Sequence, residues 1–134
     1  MRQVYLLTVT AFLEVAAGLL SLAFPSVPLV LVLGVDQTSP EAVIFIRIAG
    51  AALLALGLAC WAGRNGVDRP AQSGLLLGVL SYDVIVAGIL AYTGAVLRLA
   101  GIVLWPAVAL HAALAVWCVA CLWGKPSGQQ GRNP

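Results

Sequence analysis

Charged side chains are scarce in this sequence of 134 residues. Asp, Glu, Lys and Arg make up 9% of it, whereas a soluble domain has about 25%. A chain so poor in charge cannot cover itself with polar groups in water, which excludes an ordinary soluble domain. The net charge of only +2, with no basic and aromatic surface stripe, excludes a nucleic-acid-binding protein.

The common motifs of soluble enzymes are also absent. There is no P-loop, dinucleotide-binding glycine fingerprint, H-E-x-x-H motif or nucleophile elbow. The alternation over about ten residues that is typical of membrane barrel strands is missing too. The sequence thus favours a non-enzymatic role and leaves the question of enzyme activity open.

Hydrophobic residues, in contrast, make up 62% of the chain and are gathered in four apolar stretches. Each has about 20 residues, the length that a helix needs to cross roughly 30 Å of hydrocarbon. We predict an all-α integral membrane four-helix bundle with antiparallel neighbours, forming one domain over residues 1–124. The predicted helices span about residues 4–24, 41–63, 73–95 and 100–123, and a flexible polar tail follows at 125–134.

The positions of Lys and Arg predict the orientation of this bundle. With a cytoplasmic N-terminus, the inner side holds all the loop and tail cations except Arg98: these are Arg2, Arg64, Arg69, Lys125 and Arg132. Cytoplasmic loops are enriched in Lys and Arg, so we expect both termini to lie in the cytoplasm.

The predicted outer connection, residues 25–40, has an apolar centre at 29–35. Pro25 and Pro28 end the first helix. Seven residues are too few to cross a bilayer, so residues 29–35 are predicted either to form a lid at the outer surface or to fill a gap as a buried connector. Ser39 and Pro40 predict the start of the second helix.

Each predicted span contains one ionisable residue near its middle: Glu14, Arg47, Asp83 and His111. A charged side chain there costs about 2.5–3.5 kcal/mol, so these groups are expected to face one another as a buried polar cluster. Counting residues places the two acids and the histidine in one layer and Arg47 nearer the outside. Because a guanidinium matches a carboxylate, we expect Arg47 to pair with Glu14 or Asp83.

Two interpretations of this cluster remain open. It is either a hydrogen-bonded network that fixes helix order and register, or a site for a ligand, a proton or a transported solute.

The three cysteines, Cys60, Cys118 and Cys121, lie at similar depth. The C-x-x-C spacing of the last two raises a redox or metal hypothesis, but free cysteine also packs well in apolar surroundings. We predict no metal and no cofactor. Quinone and haem remain alternatives, and a bis-histidine haem would need His111 from a second chain.

Small residues on the third predicted helix form a second pattern: Gly74, Gly78, Ser81 and Gly88. This small-residue seam points roughly opposite Asp83, at about 100° per residue. Small residues allow close helix contact in membranes, so the seam predicts a homo-oligomer contact.

The stretch "FIRIAGAALLALGLACW", the apolar connector that follows a proline, and an alanine-rich last helix with one histidine resemble the small bacterial DoxX-like membrane proteins and related families of unknown function. The resemblance implies a four-helix bundle in the bacterial inner membrane. Some relatives are linked to quinone-dependent redox complexes, but no catalytic residue is carried over to this chain.

Three functional hypotheses follow. The first is a non-enzymatic binding or accessory subunit. Its predicted partners are the lipid bilayer and either further copies of itself or the other subunits of a membrane complex. The second is a membrane redox component that works with a quinone through Cys118 and Cys121. The third is a proton-coupled carrier or small channel that acts as an oligomer.

Overall fold

The structure is a computed structural model that describes residues 2–36, 39–66 and 69–123, with only the backbone described for residue 69. Within these ranges every regular element is helical, which confirms the all-α class. The elements are α1 (Arg2–Ala23), α2 (Ser26–Pro28), a π-helical turn (Leu29–Leu33), α3 (Pro40–Gly63), α4 (Arg69–Ala95) and α5 (Leu104–Trp123). Four of them, α1, α3, α4 and α5, are long and apolar enough to cross a membrane. The predicted tail at 125–134 lies outside the described residues.

The long helices begin close to, but not always at, the predicted positions. The Ala42 amide donates a hydrogen bond of 3.3 Å to the Ser39 hydroxyl at the start of α3, as expected for a serine cap followed by proline. Helix α4 begins four residues earlier than predicted, and Pro70 suits a first helical turn because its φ is already helical. Helix α5 begins four residues later, at Leu104, because residues 96–103 form an irregular loop.

This loop is held by the apolar connector between α1 and α3. The amides of Gly101 and Val103 donate hydrogen bonds of 2.9 Å to the carbonyls of Val32 and Leu31. A Cβ on Gly101 would collide with the Leu31 carbonyl, so a glycine is required for this approach. The connector is therefore tied to the loop between α4 and α5.

Helices α1 and α3 touch through glycine. A Cβ on Gly18 would lie 2.7 Å from the Gly50 carbonyl oxygen, and a Cβ on Gly57 would lie 2.9 Å from the Val15 amide nitrogen. Both partners are backbone atoms, which cannot move aside as a flexible side chain would. The two helices thus approach until their backbones are in contact, as small residues permit in membrane bundles.

The second close pair is α4 with α5, and α1 also contacts α5. Buried apolar side chains from α1, α3, α4 and α5 form one core, which comprises Leu6, Leu7, Ala11, Cys60, Leu76, Val79, Leu114, Cys118 and Cys121. The buried acids Glu14 and Asp83 follow this core by one turn along α1 and α4.

The glycine contact predicts that two glycine-to-alanine substitutions differ strongly in their effect on the stability of the fold. Gly18→Ala should destabilise the fold by about 1–3 kcal/mol, because the new methyl group meets backbone. Gly78→Ala is the control for packing within one chain, since a Cβ there meets nothing within 4 Å among the described residues and alanine is the better helix former. Reversible unfolding in detergent measures both, and equal stability of the two variants would contradict the close contact.

Candidate functional site

Two carboxylates are buried in the middle of the helices. Glu14 on α1 and Asp83 on α4 are 3% and 0% exposed. His111 on α5 lies beside them, with 14% of its side chain exposed. One carboxylate oxygen from each acid and one ring nitrogen of the histidine lie within 4.8 Å of one another. Across residues 2–36, 39–66 and 69–123, these are the only three His, Cys, Asp or Glu side chains that converge so closely.

The shortest contact in this acid–histidine cluster joins α4 to α5. Nδ1 of His111 and Oδ1 of Asp83 are 2.7 Å apart, a separation typical of a charge-assisted hydrogen bond. An ionised carboxylate can only accept, so Nδ1 is then the donor. This leaves the second ring nitrogen, Nε2, for another partner.

A tyrosine that sequence reasoning missed links the cluster to α1. The Tyr82 hydroxyl donates to Oε2 of Glu14 at 3.4 Å, and the Tyr82 ring meets the His111 ring edge to face, with centroids 5.7 Å apart. The position of Tyr82 in the sequence could have indicated this role. Tyr82 lies at the centre of a 27-residue helix, where a phenol hydroxyl needs a partner inside the protein.

Two polar atoms at the centre of the bundle have no hydrogen-bond partner among the described residues. They are Oδ2 of Asp83 and Oγ1 of Thr10, and both side chains are 0% exposed. Thr10 precedes Glu14 by one helical turn and therefore shares its face of α1. A buried polar atom without a partner costs about 1–3 kcal/mol, so these atoms represent free capacity to bind.

The charges of the cluster do not balance. The pair of His111 with Asp83 is the only ion pair found in the described part of the chain, so Glu14 has no cationic partner there. Two ionised carboxylates and a protonated imidazole sum to −1, and a neutral imidazole leaves −2. The centre of the bundle therefore holds excess negative charge unless it takes up a proton or another cation.

Arg47 is not that cation, and its predicted pairing with Glu14 or Asp83 is wrong. The Arg47 side chain is exposed on α3. The face of α3 toward α1 is formed by Gly50 and Gly57, and at 100° per residue Arg47 lies about 60° around the helix from Gly50. Backbone contact between α1 and α3 leaves no room for a guanidinium, so Arg47 remains on the flank.

The other residues singled out in the sequence lie elsewhere. Cys60, Cys118 and Cys121 are unpaired and buried in the apolar core. The small-residue seam of α4, which comprises Gly74, Gly78, Ser81 and Gly88, is exposed, and a Cβ on any of its three glycines would meet no described atom within 4 Å.

No protein-family model, curated protein or solved structure matches the chain. The resemblance to DoxX-like proteins therefore stays a prediction that rests on the residues quoted above.

Proposed function

We propose that this chain is an integral protein of the bacterial inner membrane and that its acid–histidine cluster binds a cationic ligand. In this proposal the four long helices span the bilayer as antiparallel neighbours, with both termini in the cytoplasm. The protein acts as a non-enzymatic binding or accessory subunit. The length and apolar character of the four helices and the bias of Lys and Arg support the placement.

The contacts between α1 and α3 support the antiparallel arrangement. Gly57 meets Ala11 and Val15 near the middle of α1, whereas Gly50 meets Gly18 and Ser21 farther along it. Contacting positions thus rise along one helix as they fall along the other.

Two buried carboxylates that share one histidine, with no other cationic side chain paired to them among the described residues, are the observation that carries the binding proposal. Glu14, Asp83 and His111 each lie near the middle of a helix, where no bulk water can solvate a carboxylate. A purely structural network is expected to satisfy all its members, because a partly satisfied one destabilises the fold. Within the described part of the chain, Oδ2 of Asp83 has no partner and Glu14 has only the long contact with Tyr82. A bound cation supplies what both acids lack.

Labelling with a hydrophobic carbodiimide tests this proposal in native membranes. Such reagents modify protonated carboxyl groups in apolar surroundings, so Glu14 or Asp83 should be labelled at partial occupancy. Cations that bind should compete with the proton and reduce the labelling. Mass spectrometry of peptides reads the result after incubation with Na⁺, K⁺, Mg²⁺, Mn²⁺ or Zn²⁺.

Glu41 is the internal control, because it is an exposed acid in the first turn of α3. Its modification should not depend on the cation. If none of the cations reduces labelling of Glu14 and Asp83, and Asp83→Asn only lowers the unfolding temperature, the cluster is a structural network. Release of the protein from membranes by alkaline carbonate would contradict the membrane placement.

The same proposal includes a homo-oligomer in which the small-residue seam of α4 faces a second copy. The seam is exposed and offers close backbone approach.

Gly78→Cys, placed in a background with all three native cysteines changed to Ala, should form a disulfide-linked dimer in oxidised native membranes. Ala59→Cys is the matched control, since Ala59 is an exposed small residue on α3. Gel electrophoresis without reductant measures the dimer. Equal crosslinking of both variants, or of neither, would contradict a specific contact through the seam.

A further inference from the structure

We propose that the cationic ligand is a divalent first-row transition-metal ion and that Glu14, Asp83 and His111 are its protein ligands. This inference rests on the proposed function, narrows it to one class of ion, and replaces the expectation from the sequence that no metal binds.

The donor atoms fit such an ion. The cluster offers one imidazole nitrogen and carboxylate oxygens, a set that suits Zn²⁺, Mn²⁺ and Fe²⁺. Ca²⁺ and Mg²⁺ prefer oxygen ligands alone, and Cu⁺ prefers sulfur. Since the converging group contains no cysteine, it does not favour the softer ions.

The spacing is also close to that of a metal site. Ligand atoms at about 2.1 Å from an ion lie up to about 4.2 Å apart. Those of Glu14, Asp83 and His111 lie within 4.8 Å of one another. The most widely spaced of these atoms would have to approach one another by about 1 Å for all three to coordinate one ion.

Unpartnered oxygens provide independent support. Among the residues that the structure describes, Oδ2 of Asp83 is an acceptor without a donor in a side chain that is 0% exposed, and Oγ1 of Thr10, one turn from Glu14, is a second such atom. A metal ion satisfies oxygen lone pairs without needing hydrogen-bond donors. The Tyr82 hydroxyl on Glu14 would then orient a ligand from the outer shell, as is common around metal ions.

The charge of the two carboxylates favours a divalent ion. A histidine ligand binds metal in its neutral form, so the two carboxylates bring a charge of −2 to the site. One divalent cation makes the cluster neutral, whereas a monovalent cation leaves it at −1. Neutrality matters because the cluster lies among apolar helices, where an uncompensated charge is costly.

Electron paramagnetic resonance of Mn²⁺ tests the proposal on the full chain. The protein is purified in detergent, stripped with chelator and titrated with Mn²⁺, whose free six-line signal falls as the ion binds. We expect one ion per chain. Mn²⁺ is the chosen probe because oxygen and nitrogen ligands suit it and the thiols of Cys60, Cys118 and Cys121 do not.

Matched substitutions assign the ligands. Glu14→Gln, Asp83→Asn and His111→Gln should each weaken Mn²⁺ binding at least tenfold, as expected when a metal ligand is lost. Glu41→Gln makes the same chemical change at an exposed position outside the cluster and should retain wild-type affinity. Circular dichroism checks that each variant is helical.

If a variant fails to fold, metal binding is tested on the wild-type protein alone. Mn²⁺ and Zn²⁺ should both raise its unfolding temperature, because a ligand that binds only the folded state stabilises it. If the wild type binds neither ion, the metal proposal is overturned. Protection from carbodiimide by Na⁺ or K⁺ alone would then leave the broader cation-binding proposal standing, whereas protection by no cation would overturn both.

Discussion

The contact between His111 and Asp83 is the interaction on which the centre of this bundle depends. It joins α4 to α5 through a hydrogen bond of 2.7 Å, and Tyr82, the neighbour of Asp83, extends the connection to Glu14 on α1. Removing one partner of a buried pair costs about 3–5 kcal/mol, because the other charge is left without compensation. The order of three helices is therefore coupled to the protonation of one group of side chains.

Helix α1 is held in two different ways. Toward α3 it presents Gly18, and the two backbones touch. Toward α4 it presents Glu14, whose carboxylate meets the Tyr82 hydroxyl. Lipid tails are as apolar as leucine, so burial of apolar surface drives helix association in a membrane only weakly, and close packing and polar contacts replace it. Helix α1 makes both kinds of contact, so small and polar residues are interspersed along it.

Much of this arrangement follows from the sequence because it depends on spacing along single helices. Apolar runs predict the four long helices, and Ser39 and Pro40 predict the start of α3. Counting residues predicts that Glu14, Asp83 and His111 lie at one depth. Rotation about a helix axis is harder to predict, because it depends on which neighbour a helix packs against. Arg47 is the example: residue counting places it nearer the outside than the cluster and its guanidinium predicts a carboxylate partner, but glycine contact with α1 turns it to the flank.

Other features depend on contacts between distant segments. The late start of α5 results from hydrogen bonds between residues 101–103 and the apolar connector, which no local pattern shows. Tyr82 reaches Glu14 on another helix because its side chain is long, although the residue itself adjoins Asp83 rather than sharing its face. To predict such contacts, one must know how whole helices are positioned relative to one another.

The imidazole of His111 is bound to Asp83 and is independent of Arg47. His111 is the single histidine of the sequence, so ¹⁵N-histidine labelling gives a nuclear magnetic resonance spectrum of this residue alone. Asp83→Asn should shift the Nδ1 resonance, because the charged acceptor is replaced by a neutral amide, while Arg47→Gln should leave the ring resonances in place. An unchanged spectrum in Asp83→Asn, or a shift of equal size in Arg47→Gln, would contradict the claim.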